Sequence, residues 1–168
     1  METALAHMHG AGPEVQRGAF RGRLKHLQRL GLPLGDKPGK GKRIKYSEGQ
    51  VWQLALALEL AQCGVDPVTI VKMIQQCWDK IFLDAMREAA QSSKRSADRI
   101  LILTVGMMSA SWEPADESLA GLRTAGWQVG LGHVSFSLTG EKRRALMINI
   151  GDTLRQLNAQ LTAPATKE

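Results

Sequence analysis

The stretch Phe20-Arg-Gly-Arg-Leu-Lys-His-Leu-Gln-Arg-Leu-Gly-Leu-Pro33 predicts an amphipathic helix that ends at a glycine. Its apolar side chains recur at spacings of four, three and three, which places them on one helical face. Gly31 is a typical residue just beyond a helix C-terminus, and Pro13 suits a first helical turn. We therefore expect a helix from about residue 13 to 30. Its apolar face carries Phe20, Leu24, Leu27 and Leu30.

The opposite face of this helix combines positive charge with glycine. It carries Gly18, Arg21, Gly22, Lys25 and Arg29. Each glycine inside a helix costs roughly 1 kcal/mol relative to alanine. Close approach to a flat or bulky partner, such as a DNA backbone, would explain them; a close contact with a neighbouring helix is the alternative.

The positive charge of the chain is local. The first 50 residues contain ten Lys or Arg against four acidic residues, whereas the other 118 residues contain twelve of each sign. The formal net charge of +6 therefore belongs to the N-terminal part. A basic segment on an otherwise neutral protein favours a polyanionic partner, and a solvated basic arm is the alternative.

The segment after the helix is basic and rich in turn residues. Residues 33–45 contain three glycines, two prolines and five Lys or Arg. This composition predicts a β-hairpin or wing, with disorder as the alternative. Ser47 and Gln50 have the spacing of a capping box, so a helix should run from about Glu48 to Cys63. Asp66-Pro67 predicts the start of another helix, which reaches about Ala90.

The C-terminal part has a mixed pattern. After a polar linker at residues 91–97, the stretch Arg99–Met107 contains a β-like run at Ile100–Val105, and a helical pattern covers Pro114–Ala125. Alternating apolar residues predict a strand at His133–Leu138, and Ala145–Ile150 is a second β-like run. We expect these two strands to form a hairpin. A last helix is expected at Gly151–Leu161.

Several classes of protein are disfavoured by composition. No apolar run reaches ~18 residues, so we expect no transmembrane helix, and residues 1–12 lack the features of a secretory signal. Cys63 and Cys77 fit no disulfide framework or metal site. No cofactor motif or acid–base set is present, so we expect a protein without enzymatic activity. The lack of a signal, a membrane span and a disulfide framework favours the cytoplasm, and the protein would be nucleoid-associated if its polyanionic partner is DNA.

The order of these features resembles the DNA-binding domain of the MerR family of transcription regulators. The resemblance covers residues 10 to 80 approximately. It is carried by Phe20–Pro33, by Gly41-Lys-Arg-Ile-Lys-Tyr46 and by Leu58-Glu-Leu-Ala-Gln-Cys-Gly-Val65. It implies a mainly α N-terminal winged helix-turn-helix domain at residues 1–66 and a connecting or dimerisation helix at 67–92. A small α+β domain at 98–161 would follow.

The resemblance also implies a set of DNA-binding residues. The second helix would enter the major groove, with Arg17, Arg21 and Lys25 towards DNA, and the wing would grip the backbone. Arg43 and Tyr46 match the wing position that holds phosphate in the family, and the wing lysines would add sequence-independent affinity. The full candidate set is Arg17, Arg21, Arg23, Lys25, Lys40, Lys42, Arg43, Lys45 and Tyr46.

The partners expected from this resemblance are double-stranded DNA and a second copy of the chain, with RNA polymerase as a further candidate. Dimerisation would use the 67–90 helix, the C-terminal domain or both. Two other functions stay open. One is an architectural or recombination factor similar to phage excisionases; the other is a small-molecule sensor that uses residues 98–161.

Overall fold

The structure is a computed structural model that describes residues 1–11, 14–35, 44–92, 100–105, 123–124, 127–132 and 145–162. These residues are mainly helical, as the sequence predicts, and the strands among them form one small sheet. The helices are α1 (Glu2–Met8), α2 (Glu14–Leu30), α3 (Glu48–Gln62), α4 (Pro67–Cys77), a π-helical segment (Trp78–Phe82), α5 (Leu83–Ser92) and α6 (Ile150–Thr162).

The helix termini follow the local signals in the sequence. The Ser47 hydroxyl accepts a hydrogen bond from the Gln50 backbone, and the Gln50 side chain accepts one from the Ser47 N–H, which completes the predicted capping box at α3. The Asp66 carboxylate accepts bonds from the backbone N–H groups of Val68 and Thr69 at the start of α4. Beyond α2, Gly31 has a φ of +115°, a conformation that glycine adopts without a Cβ clash.

Helix α3 is the centre of the core. Its residues 51–58 and Leu60 are all buried, which agrees with a sequence that is apolar on most faces. Gln53 is the polar exception within this run, and its side chain is only 4% exposed. A helix that is buried on all sides needs other elements around it, and the structure supplies them from both ends of the chain.

The helix predicted from Pro67 to about Ala90 is divided in the structure. A π-helical turn over Trp78–Phe82 separates α4 from α5. Such a turn accommodates one additional residue within a helix. Because Trp78 and Phe82 are both buried, the turn keeps two large apolar side chains on the core side.

The sheet contains four antiparallel strands in the order β2-β3-β1-β4. The strands are β1 (Ile100–Val105), β2 (Arg123–Thr124), β3 (Trp127–Gly132) and β4 (Ala145–Asn149). Strand β1 is central: Leu103 lies opposite Val129 of β3 and Leu146 of β4. Leu101, Ile102 and Leu103 are all buried, as expected of a central strand.

The C-terminal predictions agree only in part with the structure. The strands β1 and β4 and the helix α6 are confirmed. The predicted helix Pro114–Ala125 is wrong at Arg123–Thr124, which pair with β3, and its other residues lie outside the described part of the chain. The strand expected at His133–Leu138 also lies outside it, so the predicted hairpin is untested; the partner of β4 within the described residues is β1.

Helix α6 joins the two ends of the chain. It packs against α1, α3 and α5, and its Leu154 and Leu157 belong to the same apolar cluster as Leu5 and Leu54. The apolar side of α5 is therefore covered by a helix of the same chain. The division into domains at 1–66, 67–92 and 98–161 stays a prediction, because the structure describes one shared core without testing whether a part folds alone.

Candidate nucleic-acid interface

Helix α2 presents its predicted polar face to solvent. Phe20, Leu24 and Leu27 are buried against the core, which fixes the rotation of the helix about its axis. The opposite face, which we call the basic face, is exposed at every position. It consists of Gly18, Arg21, Gly22, Lys25 and Arg29.

The two glycines of the basic face have no packing role within the described structure. A Cβ built on Gly18 or on Gly22 meets no described atom within 4 Å. The alternative explanation, that these glycines allow close contact with a neighbouring helix, is therefore not supported by the described residues. Gly18 and Gly22 leave a strip of the helix surface without side chains beside Arg21 and Lys25, which we call the glycine strip.

The glycine strip leads to a prediction with opposite effects on stability and binding. Replacing both Gly18 and Gly22 by alanine is expected to stabilise the protein by about 1–2 kcal/mol, because each exposed helical glycine costs about 0.5–1 kcal/mol. Urea unfolding measures this gain. If the strip admits a DNA backbone, the same variant binds duplex DNA more weakly; equal or tighter binding would show that the strip has no such use.

Arg21 is engaged within the chain. Its Nε donates a hydrogen bond to the Glu2 carboxylate of α1, 2.5 Å away, and both side chains are largely exposed. The bond and the negative charge raise the pKa of Arg21 further above its usual value. Helix α1 is held in place by its buried residues Ala4 and Leu5, so Glu2 is presented on an anchored helix. Sequence reasoning missed this acidic neighbour, which lies 19 residues from Arg21.

The other two arginines of α2 in the candidate set differ from Arg21. Arg23 is exposed and lines a cleft beside α3. Arg17 is half-buried, and its Nε is enclosed without a hydrogen-bond partner among the described residues. The Nε end of the Arg17 side chain therefore lies against the protein, whereas the side chains of the basic face point to solvent.

The start of the predicted wing is tied to the N-terminal end of α3. The backbone N–H of Leu34 donates to Gln53 Oε1 at 2.6 Å. The Leu34 carbonyl accepts from Gln50 Nε2 at 3.0 Å. The bond from Leu34 gives the buried Gln53 side chain a polar partner, which explains why a polar residue is tolerated in an otherwise apolar helix.

The end of the predicted wing is tied to α2. The Tyr46 hydroxyl accepts a hydrogen bond from Gln28 Nε2 at 2.9 Å and keeps its own hydrogen to donate. Lys45, next to it, is exposed. The wing candidates Lys40, Lys42 and Arg43 lie outside the described residues. Both ends of the basic segment 36–43 are thus fixed on α2 and α3, although the segment itself is not described.

Other kinds of site receive no support from the described side chains. Among them, no three His, Cys, Asp or Glu residues are grouped as metal ligands. Cys63 is exposed and Cys77 is buried, and neither forms a disulfide. Of the helices described here, none combines the length and the apolar character needed to span a membrane.

Comparisons of this chain with protein-family models, with curated proteins and with solved structures found no match. The resemblance to the MerR DNA-binding domain therefore stays a prediction from the residues quoted above. Three features of the described structure bear on function: the basic face of α2, the Glu2–Arg21 contact and the fixed ends of the basic segment.

Proposed function

We propose that this protein is a sequence-specific regulator of transcription that binds double-stranded DNA through a MerR-like winged helix-turn-helix. Helix α2 enters the major groove, and the segment around residues 36–45 grips the flanking backbone. The observation that carries the proposal is the exposed basic face of α2 with its two unpacked glycines.

Charge and shape both support DNA as the partner. Arg21, Lys25 and Arg29 recur at four-residue intervals along one exposed side of α2, so their charges add along a line. Arginine can donate two hydrogen bonds to guanine in the major groove, while lysine contributes affinity that depends on salt and little on sequence. The glycines let the helix backbone approach a duplex closely between these side chains.

A homodimer fits the proposal, because one recognition helix reads few base pairs and symmetric operators are read by symmetric dimers. The apolar stripe of α5 is already covered by α6 within the chain. The proposed dimer contact therefore needs a different surface. RNA polymerase would be a further partner for a regulator of this type.

The Glu2–Arg21 contact gives the proposal a specific consequence. Because Glu2 holds the guanidinium that we assign to DNA, replacing Glu2 by glutamine should raise the affinity for DNA by about two- to fivefold, the range of an exposed ion pair. Fluorescence anisotropy with a labelled duplex measures the change. In an Arg21→Ala background the same replacement should have no effect; an equal gain in both backgrounds would show that Glu2 acts only through overall charge.

Genomic capture of bound DNA, followed by footprinting of the recovered fragments, tests the function itself. A regulator should protect one two-fold-symmetric site near promoters. Several tandem sites with bent DNA would favour the architectural or excisionase-like function instead. Recovery of no enriched sequence, together with no salt-dependent binding to duplex DNA, would reject the proposal.

A further inference from the structure

A cleft of about 280 Å³ lies between the α1–α2 connection, α2 and the C-terminal part of α3. Both apolar and polar side chains line it. The apolar contributors include Ala19, Phe20, Leu58 and Ala61, and the polar ones are His9, Gln16, Arg23 and Gln62. This cleft is separate from the glycine strip of the basic face.

His9 gives the cleft an aromatic wall and an unused hydrogen-bond donor. Its ring stacks on Phe20 with the centroids 6.4 Å apart and an interplanar angle of 26°. Its Nδ1 accepts from Gln62 Nε2 at 3.0 Å, which places the proton of the neutral ring on Nε2. Burial lowers the pKa of His9, which favours the neutral ring. Nε2 is buried and has no partner among the described residues, a state that a ligand or water normally relieves.

The charge and size of the cleft restrict its ligand. Arg23 is the charged side chain among the lining residues, and no carboxylate is found among those that the structure describes there. An engineered cavity of about 150 Å³ in another protein accepts benzene. A volume of about 280 Å³ therefore suits one or two rings with a short substituent.

We propose that this cleft binds a small aromatic carboxylic acid. The rings lie against Phe20, Leu58 and Ala61, and the carboxylate pairs with Arg23. The inference goes beyond the proposed DNA binding and does not require it. Where both hold, the acid neutralises a charge on α2 and weakens DNA binding.

Titration of the full-length ¹⁵N-labelled protein with 2-naphthoate, without DNA, tests the site. The expected result is saturable amide shifts at Ala19, Arg23 and Ala61, with 2-naphthamide, the neutral analogue, binding at least tenfold more weakly. Arg23→Gln should remove this difference between acid and amide, whereas Lys72→Gln, which removes an exposed charge on α4, should preserve it.

A second pair of variants tests the location without relying on charge. Ala19 is exposed and lines the cleft, so Ala19→Leu should fill it and abolish the shifts. Ala159→Leu adds the same side chain to an exposed position of α6 and should leave binding unchanged. Shifts that do not saturate, that centre away from α2 and α3, or that persist in Ala19→Leu would overturn the proposal. Because DNA is absent from every arm, failure here is distinguishable from failure of the DNA-binding function.

Discussion

Replacing Leu157 by alanine is expected to destabilise the protein by about 2–5 kcal/mol, the usual cost of emptying a fully buried leucine site. Leu157 is on α6, and its side chain is 0% exposed. Since α6 packs against α1, α3 and α5, the loss should appear throughout the N-terminal helices. Urea unfolding measured by circular dichroism gives the free energy of unfolding, and amide exchange shows which helices lose protection.

The matched control is Leu161→Ala on the same helix. Leu161 is 47% exposed, so its truncation should cost far less than that of Leu157. If Leu157→Ala loosens α6 while the amides of α3 keep their full protection, the C-terminal part folds as a separate unit and the shared core does not act cooperatively.

Replacing Arg21 by alanine is expected to weaken binding to the specific DNA site by roughly 5- to 150-fold, the range for loss of a base-reading arginine. If Arg21 contacts a phosphate and not a base, the slope of log K against log salt concentration should fall by about one. Arg21→Lys keeps the charge but loses the two-pronged donor, so it should retain non-specific binding and lose selectivity. Anisotropy titrations at several salt concentrations separate these contributions.

The control for Arg21 is Lys80→Ala, which removes one exposed positive charge from the π-helical segment. Its effect on specific binding should be small. An Arg21→Ala protein that binds its capture-derived operator as tightly as the unmodified protein would show that α2 is not the recognition helix, even if the protein binds DNA by another surface.

Local signals in the sequence were sufficient for most of the helices. Ser47 and Gln50 predict the start of α3 because their hydrogen bonds involve groups only three residues apart. The same holds for Asp66 at α4 and for Gly31 after α2. The exposure of the basic face was also predictable, since the apolar spacing of Phe20, Leu24 and Leu27 determines which side of α2 faces solvent.

The failures have identifiable causes. Strand β3 was missed although Trp127, Val129 and Leu131 alternate, because Gly130 and Gly132 within the same strand weaken the strand signal. The predicted helix was wrong at Arg123–Thr124 because these residues pair with β3, and this pairing outweighs their local preference for a helix. The π-helical turn has no local sequence signature of the kind that marks a cap.

Contacts between distant residues explain what the sequence could not predict about the site. Glu2 reaches Arg21 because α1 is packed by its buried side chains, and Gln28 reaches Tyr46 across 18 positions. The cleft around His9 exists only where the α1–α2 connection meets the end of α3. None of these pairs has a spacing that a helix or strand period would reveal.

The chain by itself determined the helices, their caps and the concentration of cationic groups on one side of α2, because those properties depend on neighbours within about four residues. The tertiary structure alone decided that α6 packs against the N-terminal helices, that Glu2 accepts a hydrogen bond from Arg21 and that a cleft forms beside Arg23. The physical reason is that the hydrophobic effect has no directional preference, so an apolar face does not specify which other apolar face it packs against. Which apolar faces meet, and which polar groups are thereby brought together, follows from the packing of the whole chain.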